Sequence, residues 1–185
     1  MDNARADDRR LVDAVLGGNR EAFREIVERE QGSVYRACLR ILGPGPDAED
    51  TAQESFVIAF RSLAGYRGDG SLRAWLLRIA TRHAYRRRGQ VKPTVDLAAA
   101  AYRPTPPNED PLQAALGKEQ RAAIRAAVRS LDEPYREVVA LRYFGELSLE
   151  EVATATNRPL NTVKTQVRRG LQRLAASMRR AEVER

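Results

Sequence analysis

The sequence predicts an all-α chain: two helical domains joined by a proline-containing linker, the C-terminal one a helix-turn-helix. Three observations carry this. Apolar residues recur at helical spacing along almost the whole chain, and no stretch shows the strict alternation of a half-buried strand. Residues 89–111, GQVKPTVDLAAAAYRPTPPNEDP, hold five prolines and little periodicity, as a linker does. Near the C-terminus a short capped helix, a tight turn and a long basic helix follow one another directly. The expected boundaries are 1–90, 91–111 and 112–185.

Helices are expected at about 8–17, 20–42, 47–64, 71–88, 112–130, 134–144, 148–155 and 161–180. GPGPD at 43–47 breaks the chain and offers Asp47 as N-cap of the third helix. GYRGDGS at 65–71 is a second break, with Ser71 capping the fourth.

The third helix contains DAEDTAQESFVIAF. Projected at about 100° per residue, Ala48, Ala52, Phe56, Ala59, Phe60 and Leu63 share one side, and Asp47, Asp50 and Glu54 lie opposite. Asp47 and Glu49 suit the first turn through the helix dipole. Asp50 and Glu54 sit one turn apart, where like charges repel by a few tenths of a kcal/mol. On a chain of net charge +7, such a stripe asks for a protein partner with a basic surface. Catalysis is not its purpose: the acids face solvent, and no histidine or lysine pairs with them in the sequence pattern.

The fourth helix is basic. From Ser71 to Lys92 there are seven basic residues and no acid. Leu72, Trp75, Leu76, Ile79 and Ala80 form its apolar face, with His83 at the edge. Arg78, Arg82 and Tyr85 line an adjacent face, bordered by Arg86. Arginine grips phosphate bidentately and aromatic rings stack on unpaired bases, so this helix reads as a nucleic-acid surface.

The C-terminal stretch LSLEEVATATNRPLNTVKTQVRRGLQRL, 147–174, is the most specific signal. Ser148 and Glu151 have capping-box spacing. Asn157 tolerates the left-handed turn that ends the short helix, and Pro159 prevents its continuation. Asn161 or Thr162 is expected to cap the next helix. There Val163, Val167, Gly170, Leu171, Leu174 and Met178 share one face. Thr162, Thr165, Arg168, Arg169 and Gln172 occupy the other, with Lys164 at its border. Apolar packing behind and donors in front is what a recognition helix requires.

Composition narrows the classes further. The chain has 185 residues, 43% hydrophobic and 31% charged. No apolar run approaches the roughly 20 residues of a membrane span. The start, MDNARADDRRL, has no apolar signal region, so a cytoplasmic protein with no membrane contact is expected. Its one cysteine, Cys38, reads as a buried small apolar residue. One cysteine and one histidine, His83, leave no zinc cluster. No phosphate-cradling glycine loop is present, since GPGPD and RGDG read as turns. The sequence therefore implies no catalytic constellation, metal or cofactor.

Over about 10–88 and 112–180 the chain resembles the extracytoplasmic-function (ECF, group 4) sigma factors of bacterial RNA polymerase. DAEDTAQESF resembles their region 2.2, and YRGDGSLRAWLLRIATRHAYRRR their regions 2.3 and 2.4. NRPLNTVKTQV resembles region 4.2, and LDEPYREVVALRYFGELSLEEVA its lead-in. The resemblance implies an alternative sigma factor without enzymatic activity, monomeric when free. Its partners would be core polymerase (β′ clamp and β flap), promoter DNA and, as a candidate, an anti-sigma factor. Asp47, Asp50, Gln53 and Glu54 match the surface that docks on the β′ clamp. Tyr66, Arg67, Gly68, Asp69 and Ser71 match the loop that captures a flipped base of the −10 element. Trp75, Arg78, Arg82 and His83 match the helix beside it, with Arg86 added as a neighbour. Lys164, Thr165, Arg168 and Arg169 match positions that contact the −35 element, with Asn161, Thr162 and Gln172 on the same face.

The chain also departs from the pattern. Asparagine is common at the place of His83, and a polar or acidic residue is frequent at that of Arg87. Asn157 and Asn161 replace frequent glycines. Two other readings of the residues remain: a helix-turn-helix regulator that acts without polymerase, and a sigma-like interaction protein that sequesters a regulator.

Overall fold

The computed structural model describes residues 2–90 and 117–183, and every element among them is helical. Four long helices come first: α1 (Asp2–Leu16), α2 (Arg20–Leu42), α3 (Pro46–Ser62) and α4 (Leu72–Gln90), with a 3₁₀ turn at Leu63–Gly65. Four more follow: α5 (Lys118–Arg129), α6 (Tyr135–Tyr143), α7 (Leu149–Thr156) and α8 (Leu160–Val183). The proline-rich linker expected at 91–111, and the first residues of the helix expected at 112–130, lie outside the described residues.

Local chemistry sets the boundaries. Asn19 caps α2, its side-chain oxygen accepting from Glu21 N at 3.0 Å and Ala22 N at 3.4 Å. The expected cap by Asp47 is not made. Helix α3 starts one residue earlier, with Gly45 at the cap and Pro46 in the first turn. Proline's fixed φ and missing N–H suit that position, which moves Asp47 inside the helix. The first helix likewise starts at Asp2 rather than near residue 8.

In the first domain α2 packs on α1, α3 and α4, and α3 packs on α4. Leu11, Ile26, Val34, Leu63, Leu72 and Leu77 are almost wholly buried there. Each such side chain contributes about 1.5–3 kcal/mol of burial. Cys38 is 0% exposed, and burial pushes its thiol up to about 12, so it packs as an inert apolar residue.

In the second domain the expected turn forms as read. Ser148 Oγ accepts from Glu151 N at 3.1 Å, and Glu151 Oε2 accepts from Ser148 N at 2.8 Å. Asn157 adopts φ 55°, ψ 48°, the left-handed conformation that ends α7. The expected cap by Asn161 or Thr162 does not form, because α8 already begins at Leu160. Val163 and Val167 are buried against α6 and α7.

The two domains touch. α4 packs on α6 and α7, and α2 reaches α5. Their buried apolar residues form one contiguous cluster.

Gly170 sets the approach of α8 to α6. A Cβ there would lie 2.7 Å from Val139 Cγ2 and 3.4 Å from Tyr135 Cβ. Gly170→Ala gains helix propensity but must displace a β-branched neighbour. A net loss of about 1–3 kcal/mol is expected from chemical denaturation, as for other overpacked sites. An unchanged or raised stability would show that the two helices have room to spare.

Candidate nucleic-acid interface

The loop 66–71 is held from both sides. Tyr66 Oη donates to Gly70 O at 2.6 Å, and its ring meets Trp75 edge-on at 5.8 Å between centroids. Burial pushes the Tyr66 hydroxyl up to about 12, so it stays a donor. Gly68 turns with φ 73°, and its carbonyl accepts from Arg9 Nη2 at 3.3 Å. Ser71 Oγ accepts from Ala74 N at 3.2 Å, the expected cap. A second cap comes from far away: Asp8 Oδ2 accepts from Leu72 N at 2.7 Å, while Asp8 Oδ1 accepts from Arg29 Nη2 at 2.5 Å. Asp8 is 5% exposed, so this contact ties α1 firmly to the start of α4. Arg67 and Asp69 stay exposed and pair with each other at 3.1 Å.

The arginines of α4 find acids that no neighbour in sequence supplies. Arg78 Nε and Arg82 Nε both donate to Glu137 Oε1, at 3.2 and 2.9 Å. Arg158 Nη2 donates to the other oxygen, Oε2, at 2.7 Å. The Glu137 side chain is 5% exposed. Burial pushes its carboxyl up, but Arg82, Arg78 and Arg158 together outweigh this and hold it below the ordinary 4.5. Arg86 is exposed, whereas Arg88 donates to Leu42 O at 2.7 Å. Tyr85 does not offer a stacking face. Its hydroxyl is buried without a partner, and the Arg136 guanidinium lies 5.5 Å from its ring centroid.

The acidic stripe is also partnered within the chain. Arg87 Nη2 donates to Asp47 at 3.0 Å and Asp50 at 3.5 Å, and its Nη1 donates to Glu54 at 3.1 Å. His83 Nε2 lies 2.7 Å from Glu54 Oε2. The hydrogen bond from His83, with Arg87 beside it, holds the Glu54 carboxyl below its ordinary value. The expectation that no histidine pairs with these acids is therefore corrected, because α4 lies against α3 and delivers both residues. His83 points to α3 rather than into the core, with its Nδ1 buried and unpaired.

Gln53 is exposed next to Val57, 50% exposed, and Phe60, 47% exposed. Phe60 was expected to face inward. It instead rests edge-on against Phe23 at 4.9 Å, leaving an apolar strip beside the acids. Sequence reading missed that strip, and it missed Asp8, Arg9 and Glu137. Spacing on one helix signals none of these long-range partners.

On α8 the polar face stands clear. Asn161, Thr162, Lys164, Arg168, Arg169 and Gln172 are exposed, and Thr165 is half-buried, donating to Asn161 O at 2.9 Å. Among the described residues, no group of three histidine, cysteine or acidic side chains is placed to hold a metal. No described helix is long and apolar enough to cross a membrane.

The family model for Sigma-70 region 2 matches residues 26–92, and that for Sigma-70, region 4 matches 121–174. The ECF RNA polymerase sigma factor SigW of Bacillus subtilis (strain 168) is 31% identical over 180 residues, covering 92% of this chain and 96% of that protein. The chain belongs to the ECF sigma factors. It is an alternative sigma factor, directing transcription initiation by RNA polymerase. The RNA polymerase sigma-H factor of Pseudomonas aeruginosa is also 31% identical, over 169 residues, covering 86% of this chain and 88% of its own. The fold resembles two solved structures. CnrH, solved with the cytosolic domain of CnrY, has a TM-score of 0.61 at 24% identity, covering 93% of this chain and 97% of its own. RpoE of Bartonella quintana, solved with the anti-sigma factor NepR, has 0.54 at 20%, covering 85% and 96%. In this sigma factor α1 lies outside the matched segment, yet it supplies both Asp8 and Arg9 to the loop.

The lowered Glu137 carboxyl has a pH consequence. A group depressed on folding adds stability above its unfolded value and loses it as pH falls through the folded one. Glu137→Gln should therefore cost about 3–5 kcal/mol at neutral pH, as for a broken buried pair. The gap from wild type should close only below pH 4.5, read by denaturation at a series of pH values. A gap independent of pH would assign the loss to packing rather than charge.

Proposed function

We propose that residues 1–90 act as sigma region 2, 112–185 as region 4, and 91–111 as the linker between them. Asp47, Asp50, Gln53 and Glu54 dock on the β′ clamp of core polymerase, with Val57 and Phe60 adding an apolar edge. Arg67, Gly68, Asp69 and Ser71, braced by Tyr66 and Trp75, hold a flipped −10 base. Arg78, Arg82 and Arg86 follow the adjoining phosphates, while His83 acts indirectly by tying α4 to Glu54. The exposed face of α8, from Asn161 to Gln172, enters the −35 major groove. Phosphate contacts from Lys164, Arg168 and Arg169 set affinity, and polar contacts to base edges set sequence.

The observation that carries this reading is the two-sidedness of α8. Val163 and Val167 are 0% and 7% exposed, while donor side chains between and beyond them stand in solvent. DNA opening then needs no catalytic group or bound nucleotide. A domain that binds the unpaired strand better than the duplex shifts the equilibrium toward the open form. RpoE of Bartonella quintana, of similar fold, was solved with the anti-sigma factor NepR, which supports an anti-sigma factor as a regulator here too. The site of action is the cytoplasm, where polymerase and promoter are found.

Purified protein added to core polymerase should give promoter-specific run-off transcription. Asp50→Arg with Glu54→Arg should abolish core binding by gel filtration, with the thermal melt shifted by only a few degrees, because both side chains are more than half exposed. Retained core binding would place the docking surface elsewhere.

A further inference from the structure

The acidic stripe proposed to dock on core polymerase already holds a cation of its own chain. Arg87 Nη2 lies 3.0 Å from Asp47 Oδ1 and 3.5 Å from Asp50 Oδ2, and its Nη1 lies 3.1 Å from Glu54 Oε2. One guanidinium therefore reaches three carboxylates spread over about two turns of α3. Arg87 stands one turn beyond His83 on α4, and His83 meets the same stripe at Glu54. The Arg87 side chain is 25% exposed, while those of Asp47, Asp50 and Glu54 are 50%, 56% and 51% exposed. The acids thus stay open to a partner, and the cation is the more covered member.

The fold does not hang on this contact. α3 packs on α4, and Ala48, Ala52 and Phe56 of the one and Leu77, Ala80 and Ala84 of the other are buried. Ion pairs to acids this exposed contribute little to stability. What Arg87 does change is the charge of the stripe. It neutralises one of the three carboxylate charges and takes one oxygen of each carboxylate. A lysine or arginine arriving from a partner must share or replace those bonds.

We propose that Arg87 is a built-in competitor of the basic partner surface, and that it lowers the affinity of the acidic stripe for the β′ clamp of core polymerase. The proposal rests on the clamp-docking reading made above. A cation in a docking face that receives a basic partner acts chiefly on the association rate, by weakening electrostatic steering. Its effect fades as salt screens the two surfaces from each other. The chain then joins core less tightly than its acids alone would allow.

The test uses the full chain and core polymerase, titrated at about 0.1 M and about 0.5 M salt. Arg87→Gln removes the charge, and Arg87→Lys keeps it. Arg87→Met removes the charge while keeping an unbranched apolar stem, and serves should the glutamine variant misfold; thermal melts identify folded variants. A folded charge-free variant should bind core about tenfold more tightly than wild type at the lower salt, through faster association. At the higher salt the gain should shrink to about twofold or less. Arg87→Lys should stay within about twofold of wild type, because the charge remains. Charge-free binding equal to wild type overturns the proposal. Weaker binding also overturns it, and assigns Arg87 to organising the acids for the partner. A gain that persists at high salt, or that the lysine variant shares in full, overturns it too, since charge would not be the cause. Asp50→Arg with Glu54→Arg is the reference. If that variant loses core while Arg87→Gln gains nothing, competition is wrong and the docking reading stands. If it keeps core as wild type does, the docking reading falls and the competition with it.

Discussion

The carboxylate of Glu137 is the contact on which the arrangement of this chain depends. It accepts from Arg78 and Arg82 of the first domain and Arg158 of the second, with its own side chain 5% exposed. Three guanidinium groups this close repel one another unless an anion lies between them. Remove the anion and the two basic surfaces have reason to part. A buried ion cluster of this kind is weak evidence for net stability, since the attraction mainly offsets the cost of taking the charges out of water.

The same economy of charge recurs elsewhere. The chain carries a net +7, yet several of its arginines are held by acids of the same chain. Arg87 spans Asp47, Asp50 and Glu54, and Arg29 joins Asp8 and Glu30. Each cluster does a positional job. The first lays α4 against the acidic stripe, so the proposed polymerase surface and the proposed −10 helix are one rigid unit. The second fixes the start of α4 and hence the loop before it. A basic protein that must not bind polyanions indiscriminately gains from such internal pairing, since nonspecific affinity follows the number of free cations.

Much of this was legible in the sequence where the signal is local. The Ser148–Glu151 box, the left-handed Asn157 and the burial of Cys38 follow from residues a few positions apart, and the structure has each of them. The inner faces of α3 and α8 followed from period, except for Phe60, which rests on Phe23 at the surface; on α4 the period placed Leu72, Leu76 and Ala80 inside but missed Ala74, Leu77 and Ala84, while Trp75 and Ile79 are only half-buried. Helix starts were less legible. Pro46 and Leu160 already satisfy the first helical positions, so the polar residues behind them never become caps. Least legible were partners distant in sequence. Glu137 is 55 and 59 residues from Arg82 and Arg78, and Asp8 is 64 from Leu72. An acid-free run such as 71–92 suggests unpaired cations only while tertiary neighbours are unknown.

The central claim is that two separate faces of this sigma factor read two separate promoter elements. Tethered hydroxyl-radical cleavage from cysteines at Ser62 and Ala175, in promoter-bound holoenzyme, tests it most directly. The account predicts cuts near the −10 element from position 62 and near the −35 element from position 175, roughly 85 Å apart along the duplex. Cuts from both positions at one place on the promoter, or none that depend on promoter sequence, would contradict it.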